Sequence, residues 1–372
     1  MSRRRFLILI AATLAIASLL VVGCAPEAAP PAEEEAPPAE EEEEEEAPPA
    51  APEEETITWK LQSLTTEAMR YHVIVTRIAE RINEMSGGLL VVETFPTGAV
   101  APAGEEFDGV HQGVLEACLA GHMNQLDLYP AAGLFYQVVG GLTAAQMQLW
   151  YLAGGGDDLA TQMYEPSNVV YVGTPLLHPP EIWCHSTVAL ETPDDMKGLK
   201  IRAAGDAGEI LNMMGASTVM VPGSEVYESA ARGVIDAFEY GGPAINWGMG
   251  FHEIADYLYL SPSRAPTGGS GLFVNDDAWA EISPDLQAMV KYATMAETQL
   301  WYAEQIVLNH GALDSYRDYG TVVEQLPASI DEEFIATAAE FYDGKAAADP
   351  FFAEVLESQR AFKDICILQD VR

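Results

Sequence analysis

From residue 56 onward, short apolar runs alternate with stretches of helical periodicity, and that alternation confines the chain to an α/β architecture. Ile57, Trp59 and Leu61 alternate with polar residues over 56–62, the two-residue period of a half-buried strand. Val73, Ile74, Ile78 and Ile82 recur at helical spacing within 68–85, and Ser86-Gly87-Gly88 supplies the stop. The run 89–95 is nearly continuous in apolar residues, as a strand covered on both faces must be. A Gly/Pro/Ala loop then leads to a short helix at 105–112 and a strand at 114–120. This β-α-β-α-β order predicts a parallel sheet with right-handed crossovers.

The pattern starts again further on. Residues 169–177 read as a strand, and His178-Pro179-Pro180 marks a stiff crossing into a second lobe. There, 181–186 is a strand, and a second assembly follows: a strand ending at Arg202, a helix after Gly205, a strand at 218–221, a helix at 224–232 and a strand at 235–239. Residues 257–266 lead back, so that 270–274 re-enters the first lobe. A long helix dominates 281–313, with Leu286, Met289, Val290, Ala293, Met295 and Leu300 along one stripe. A strand at 321–326 and two amphipathic helices at 331–345 and 350–363 finish the chain. No internal repeat stands out. A chain of 372 residues exceeds one ordinary core. The expected division is lobe I over 56–178 with about 267–320, and lobe II over 179–266 with about 321–372.

The first 55 residues are of another kind. Arg3-Arg4-Arg5-Phe6-Leu7 resembles a twin-arginine export signature and equally satisfies an ordinary basic leader. The apolar run 7–22 is short for a spanning helix and ends in Val21-Val22-Gly23-Cys24, which resembles a bacterial lipobox, so 1–24 reads as a lipoprotein signal peptide with Cys24 the lipidation site. An uncleaved membrane anchor is the alternative, and either places the bulk of the protein outside the cytoplasm. Residues 25–55 are Pro, Ala and 14 glutamates and nothing else, and read as a disordered, extended acidic linker. Even without these segments, 56–372 carries 15 basic and 43 acidic residues, which excludes nucleic acid as a partner. Cys118, Cys184 and Cys366 lie among apolar neighbours at unrelated spacings and read as free, buried thiols.

The chemistry concentrates in 195–246. One strand delivers Arg202 to a loop opening a helix, and another ends at Glu239 with Tyr240-Gly241-Gly242-Pro243 as the turn after it. Strand ends facing a crevice are where α/β proteins hold small ligands. Arg202 can clamp a carboxylate through two parallel charge-assisted bonds, each contributing about 1.5–3 kcal/mol when desolvated. Glu239 in the same crevice needs a cation, either a metal ion or Arg202 itself. Hard oxygen ligands favour Na⁺ or Ca²⁺. Asn246 is a candidate donor to a ligand oxygen or a plain helix-start residue. His122, Asn124 and Tyr129 follow a strand end and are expected to face the cleft, whereas Trp150 and Phe135 read as core. No nucleophile elbow, GxGxxG, phosphate loop, HExxH or metal-spaced Cys/His set is present, and the scattered histidines, His178 and His185 among them, read as structural. Nothing here supports an enzyme; an exported lyase or hydrolase is kept only as a contrast.

Several stretches together carry a family resemblance: MKGLKIRAAG, VPGSEVYESAARGVIDAFEYGGP, MSGGLLVVETFPTGAV, EFDGVHQGVLEACL and DPFFAEVLESQRAF. Over roughly all of 56–372 the chain resembles the DctP-type extracytoplasmic solute-binding proteins of TRAP transporters. The resemblance implies a two-lobed, periplasmic-binding-protein-like fold of type II, with crossing strands and a long connecting helix. It implies closure over a small organic acid that is passed to membrane permease subunits; a solute sensor docking a membrane signalling protein is the other use of such a fold. Arg202 matches the family's carboxylate-binding arginine. EYGGP resembles the branch that binds 2-oxoacids or lactate with a metal ion, where E-W-x-G-P supplies a glutamate and a backbone carbonyl; Glu239 and Tyr240 take those places, with Tyr for Trp. The branch's glutamine at the start of the second lobe is replaced by Pro180-Glu181, which makes Glu181 the remaining candidate ligand. The long helix carries a homodimer interface in that branch, and packing within one lobe is its other use here.

Overall fold

The computed structural model describes residues 55–371. The leader, the linker and Cys24 therefore lie outside the described residues. Strand β1 (Ile57–Gln62), helix α1 (His72–Met85), β2 (Leu90–Phe95), α2 (Glu106–His111) and β3 (Ala117–Gly121) come first. Both β2 and β3 pair with β1 in parallel, as the β-α-β-α-β order predicts. Helices α3 (Ala144–Ala153) and α4 (Gly156–Tyr164) precede β4 (Val169–Leu177). The chain then crosses to β5 (Cys184–Ser186), β6 (Lys200–Arg202), α5 (Gly205–Met213), β7 (Ser217–Val219), α6 (Val226–Ala231), β8 (Ala237–Phe238), α7 (Pro243–Gly248) and β9 (Tyr257–Leu260). It returns through β10 (Gly269–Asn275), α8 (Asp276–Glu281) and α9 (Pro284–Tyr319), and ends with β11 (Val322–Gln325), α10 (Ala328–Ala348) and α11 (Pro350–Leu368).

The described strands make two sheets, ordered β2-β1-β3-β10-β4 and β11-β9-β5-β8-β6-β7. Each sheet takes in one strand from across the crossing. β10 enters the first antiparallel to β3 and β4, and β5 enters the second antiparallel to β8 and β9. Both sheets are thus mixed, where the local alternation alone predicted parallel strands for the first. The reason is topological: a strand arriving from the other sheet is not bound by the crossover rule that keeps βαβ units parallel. The exchange of strands is the crossed, two-lobed arrangement expected.

Helix α9 runs 36 residues, packing on α1 and β4 at one end and on α7 and β11 at the other. Its Glu297 is fully buried and holds Arg77 and Arg81 of α1, while Glu304 holds Arg77 and Arg70. Helix α10 packs on α5, and α11 packs back on α3 and α4. Trp150 and Phe135 are fully buried in ring contact, as the sequence reading has them. The three cysteines are free and buried. Gly154 ends α3, and Gly155 adopts φ +88° ahead of α4, so the glycine triplet is a helix boundary.

The candidate ligand site

Residues 178–182 and 264–268, the two crossings between the sheets, are stitched together. His178 N–H donates to the Gly268 carbonyl (3.0 Å) and Glu181 N–H to that of Ala265 (3.1 Å). The Thr267 hydroxyl donates to the His178 carbonyl (2.9 Å). Beside this seam, β6 and β8 pair in parallel with Arg202 opposite Phe238. Glu239 N–H donates to the Arg202 carbonyl (3.1 Å), so register alone sets the two side chains together.

A cavity of about 290 Å³ opens there. Leu64, Met69, Leu176 and Met220 give it apolar walls, while Arg202, Glu239, Arg264, Glu181, Asn124 and Tyr136 bring polar groups. The charged residues form a chain. Arg202 Nη1 donates to Glu239 Oε1 (2.7 Å) and to the Glu239 carbonyl (2.7 Å), and its Nε donates to the Val221 carbonyl (3.3 Å). Arg264 Nη1 donates to Glu239 Oε2 (2.8 Å), Nη2 to Glu181 Oε2 (2.6 Å) and Nε to the Ile182 carbonyl (3.0 Å). All four residues are buried, at 6, 3, 3 and 7 % exposure for Arg202, Glu239, Arg264 and Glu181. Four charges so desolvated persist only because each touches its opposite. Burial raises the Glu239 carboxyl, Arg264 and Arg202 pull it back, and it stays above its ordinary value. For Arg264, burial works against the charge, but Glu239 and Glu181 outweigh it and hold its pKa up.

Among the described residues, the Nη2 of Arg202 makes no hydrogen bond, and the residue faces the cavity. An incoming carboxylate thus finds a guanidinium edge already fixed on its other side. Tyr240 also lines the cavity, and its ring lies under Arg202, 5.6 Å from the guanidinium carbon. His178 borders the same space, and desolvation holds it neutral, with a pKa of about 4.

The structure brings Arg202, Glu239, Tyr240, Glu181 and Asn124 to one cavity, and moves three other candidates out of it. His122 is fully buried, its Nδ1 against the Tyr164 hydroxyl (2.8 Å), among Phe135, Tyr171 and Phe273. Tyr129 bonds Ser167 and lines a separate surface pocket. Asn246 spends its amide on the turn: Oδ1 accepts from Gly241 N–H (3.0 Å), and Nδ2 donates to the Gly241 carbonyl (3.0 Å) and to His185 Nε2 (3.3 Å). Tyr129 and Asn246 spend their polar atoms on nearer protein partners, whereas His122 bonds through Nδ1 alone and buries Nε2 without a partner. Arg264 is the residue that sequence reasoning missed. Its signal was present: it is the lone base between Arg232 and Lys291, and Glu239 needed a second cation.

A family model described as bacterial extracellular solute-binding protein, family 7, matches residues 63–349. The chain belongs to this family of extracytoplasmic solute-binding proteins, which bind small organic acids and work with membrane permease subunits of TRAP transporters. A monocarboxylate 2-oxoacid-binding periplasmic protein of Nostoc sp. is 24% identical over 316 residues, 82% of this chain and 84% of that one. A TRAP periplasmic solute-binding protein from Colwellia psychrerythraea, solved with bound calcium and pyruvate, superposes with a TM-score of 0.78 at 26% identity, covering 85% of this chain and 96% of that one. One from Pseudoalteromonas atlantica, with bound sodium and pyruvate, gives 0.77 at 24% identity and the same coverage. The fold class and family expected from the sequence hold.

Sodium or calcium, the ions named from the sequence, thus accompany pyruvate in those two neighbours. Both Glu239 carboxylate oxygens, the Glu239 carbonyl and Glu181 Oε2 already accept from guanidinium groups. Among the described residues, no cluster of three or more His, Cys, Asp or Glu side chains could hold a metal. As arranged, the Glu239 carboxylate, held at each oxygen by a guanidinium, does not fit a metal ion.

Proposed function

We propose that this protein is the solute receptor of a TRAP-type secondary transporter and captures a small monocarboxylate of the 2-oxo or 2-hydroxy acid class between two closing lobes. The observation that carries this reading is the buried Arg202 guanidinium, anchored on Glu239 through Nη1 and left with Nη2 unbonded beside a cavity of about 290 Å³ with apolar walls. Such a site takes one carboxylate and a short apolar or oxo-bearing tail. The 2-oxoacid-binding relative and the pyruvate-bound neighbours support the ligand class. No residue of the cavity is poised to break a bond, so the role is capture and release. The lobes we propose are 56–178 with about 267–320, and 179–266 with about 321–372, hinged at the two stitched crossings.

The test is calorimetry with pyruvate. Arg202→Ala removes detectable binding, while near-native affinity in that variant would end the assignment. For the N-terminus we propose cleavage before Cys24 and lipidation there, with 25–55 as the stalk to the membrane; an unmodified Cys24 in the mature protein's mass spectrum would refute it. Tyr292, Met295, Leu300 and Val307 are exposed on α9 and support a homodimer along that helix. A monomer mass in solution would remove it.

A further inference from the structure

We infer that the Arg264 guanidinium stands where a metal ion would, so that this receptor holds its carboxylate ligand without a metal. The inference rests on the carboxylate-receptor reading and adds how that site is charged. Arg264 bridges the two acids that a cation between the sheets would have to bridge, Glu239 through Nη1 (2.8 Å) and Glu181 through Nη2 (2.6 Å). A planar fork suits two carboxylates side by side, and unlike an ion it cannot dissociate.

The bridge is also built into the hinge. Arg264 sits in one crossing, and its Nε is tied to the carbonyl of Ile182 in the other (3.0 Å). Glu181 N–H in turn donates to the Ala265 carbonyl (3.1 Å). The guanidinium therefore joins the other crossing and the β8 strand end to its own through three hydrogen bonds, one from each of its nitrogens. An added cation would have to displace it from Glu239 and then lie against two guanidiniums in a desolvated pocket, which Coulomb repulsion opposes.

Charge follows the same logic. Two arginines and two glutamates sum to zero before ligand arrives, and Asp206, the other acid on the cavity wall, is paired with Lys345 (2.6 Å). One incoming carboxylate meets the unbonded Nη2 of Arg202. A second would meet Glu239 and Glu181 with no cation left unpaired. The site accordingly selects monocarboxylates over dicarboxylates without help from an ion.

The experiment uses the whole protein, exhaustively dialysed, with pyruvate, 2-oxobutanoate, lactate and succinate as probes in calorimetry and calcium alone as a further titrant. Binding of the preferred monocarboxylate in sodium-free, chelator-containing buffer should stay within about twofold of its value with sodium and calcium present. Elemental analysis should find no stoichiometric metal, calcium alone should give no binding heat, and succinate should bind at least tenfold more weakly. Arg264→Gln frees the two carboxylates, so that variant should lose monocarboxylate binding in chelator and gain a calcium heat. A fall of more than about tenfold in wild-type affinity on chelation, or stoichiometric metal in the wild type, overturns the inference while leaving the receptor reading intact. Absence of binding by any of these acids under both conditions overturns the receptor reading and this inference with it. Should Arg264→Gln fail to fold, the wild-type arms decide by themselves.

Discussion

The two sheets share a plan, and they differ where the ligand site lies. Lys60-Leu61-Gln62 closes β1 as Lys200-Ile201-Arg202 closes β6, and each is the centre of a three-strand parallel unit, β2-β1-β3 and β7-β6-β8. Gly113-Val114-Leu115-Glu116-Ala117 leads into β3 as Gly233-Val234-Ile235-Asp236-Ala237 leads into β8. Both glycines are left-handed, at φ +71° and +68°, and Glu116 and Asp236 accept from the Lys60 and Lys200 N–H groups. The strand ends then diverge. Gln62 spends its amide within the protein, on the backbone at 100–101 and on Glu106, whereas Arg202, in the matching place, carries a charge to the cavity. β3 continues in the ladder, with Leu119 opposite Leu272, but β8 stops at Phe238 and releases Glu239 and Tyr240. One scaffold thus serves twice, and a few substitutions at the end of one copy make the site.

The strongest way to break that comparison is to restore the first sheet's residue in the second. Glu239→Leu leaves Arg202 and Arg264 buried with Glu181 as their remaining acid. Removing one member of such a cluster costs about 3–5 kcal/mol, read as a lowered urea midpoint at unchanged m-value. A neutral effect would mean that the cluster is held by something other than its charges.

Each half also buries a neutral histidine, and acid tests them together. Burial pushes His122 and His185 down to about 3, with His252 lowering His185 further. A folded pKa below the unfolded value means that the unfolded chain takes up the proton first. The stabilisation is complete above about pH 6.5 and is lost as pH falls towards 3. Between pH 6.5 and 4.5 each group should cost about 2 kcal/mol, the full 1.36 kcal/mol per unit being reached only below the unfolded pKa. His122→Phe removes one such group, so the stability of the wild type relative to that variant should fall by about that amount over this range. A constant difference would show His122 titrating normally.

Gln62→Ala sharpens the contrast with Arg202. It strips partners from the half-buried Val100 N–H, the buried Ala101 N–H and carbonyl, and Glu106, at about 2 kcal/mol in total for imperfect compensation. Pyruvate affinity should not move. A loss of affinity would place Gln62 within the site's reach.

How much of this was legible follows from which forces are local. Strand and helix order could be read because periodicity is local, and Arg202 with Glu239 because both stand at the ends of strands in one βαβ unit. Arg264 escaped because its partners come from a different crossing and no spacing rule links them. His122 and Tyr129 read as cleft residues because sequence tells which residues follow a strand but not where their side chains turn, and Asn246 takes the other role open to it, near a helix start where it holds the turn before it. The kinship of the two sheets escaped too: Lys60 to Lys200 and Gly113 to Gly233 span different intervals, so no single period runs through the chain.

The smallest effect tests the Tyr240 that stands where the resembling branch has Trp. Gly223 lies so close to that ring that an added Cβ would come within 2.6 Å of both Cε2 and the hydroxyl oxygen. A shift of the ring disturbs its place under Arg202, where it contributes a cation–π contact of about 0.5–1 kcal/mol. Gly223→Ala should therefore weaken pyruvate binding about threefold, with the melting temperature little changed. The first sheet has Ala120 in the place of Tyr240, so it needs no such glycine. An unchanged affinity would separate the ring from the arginine's function and leave Arg202 positioned by Glu239 alone.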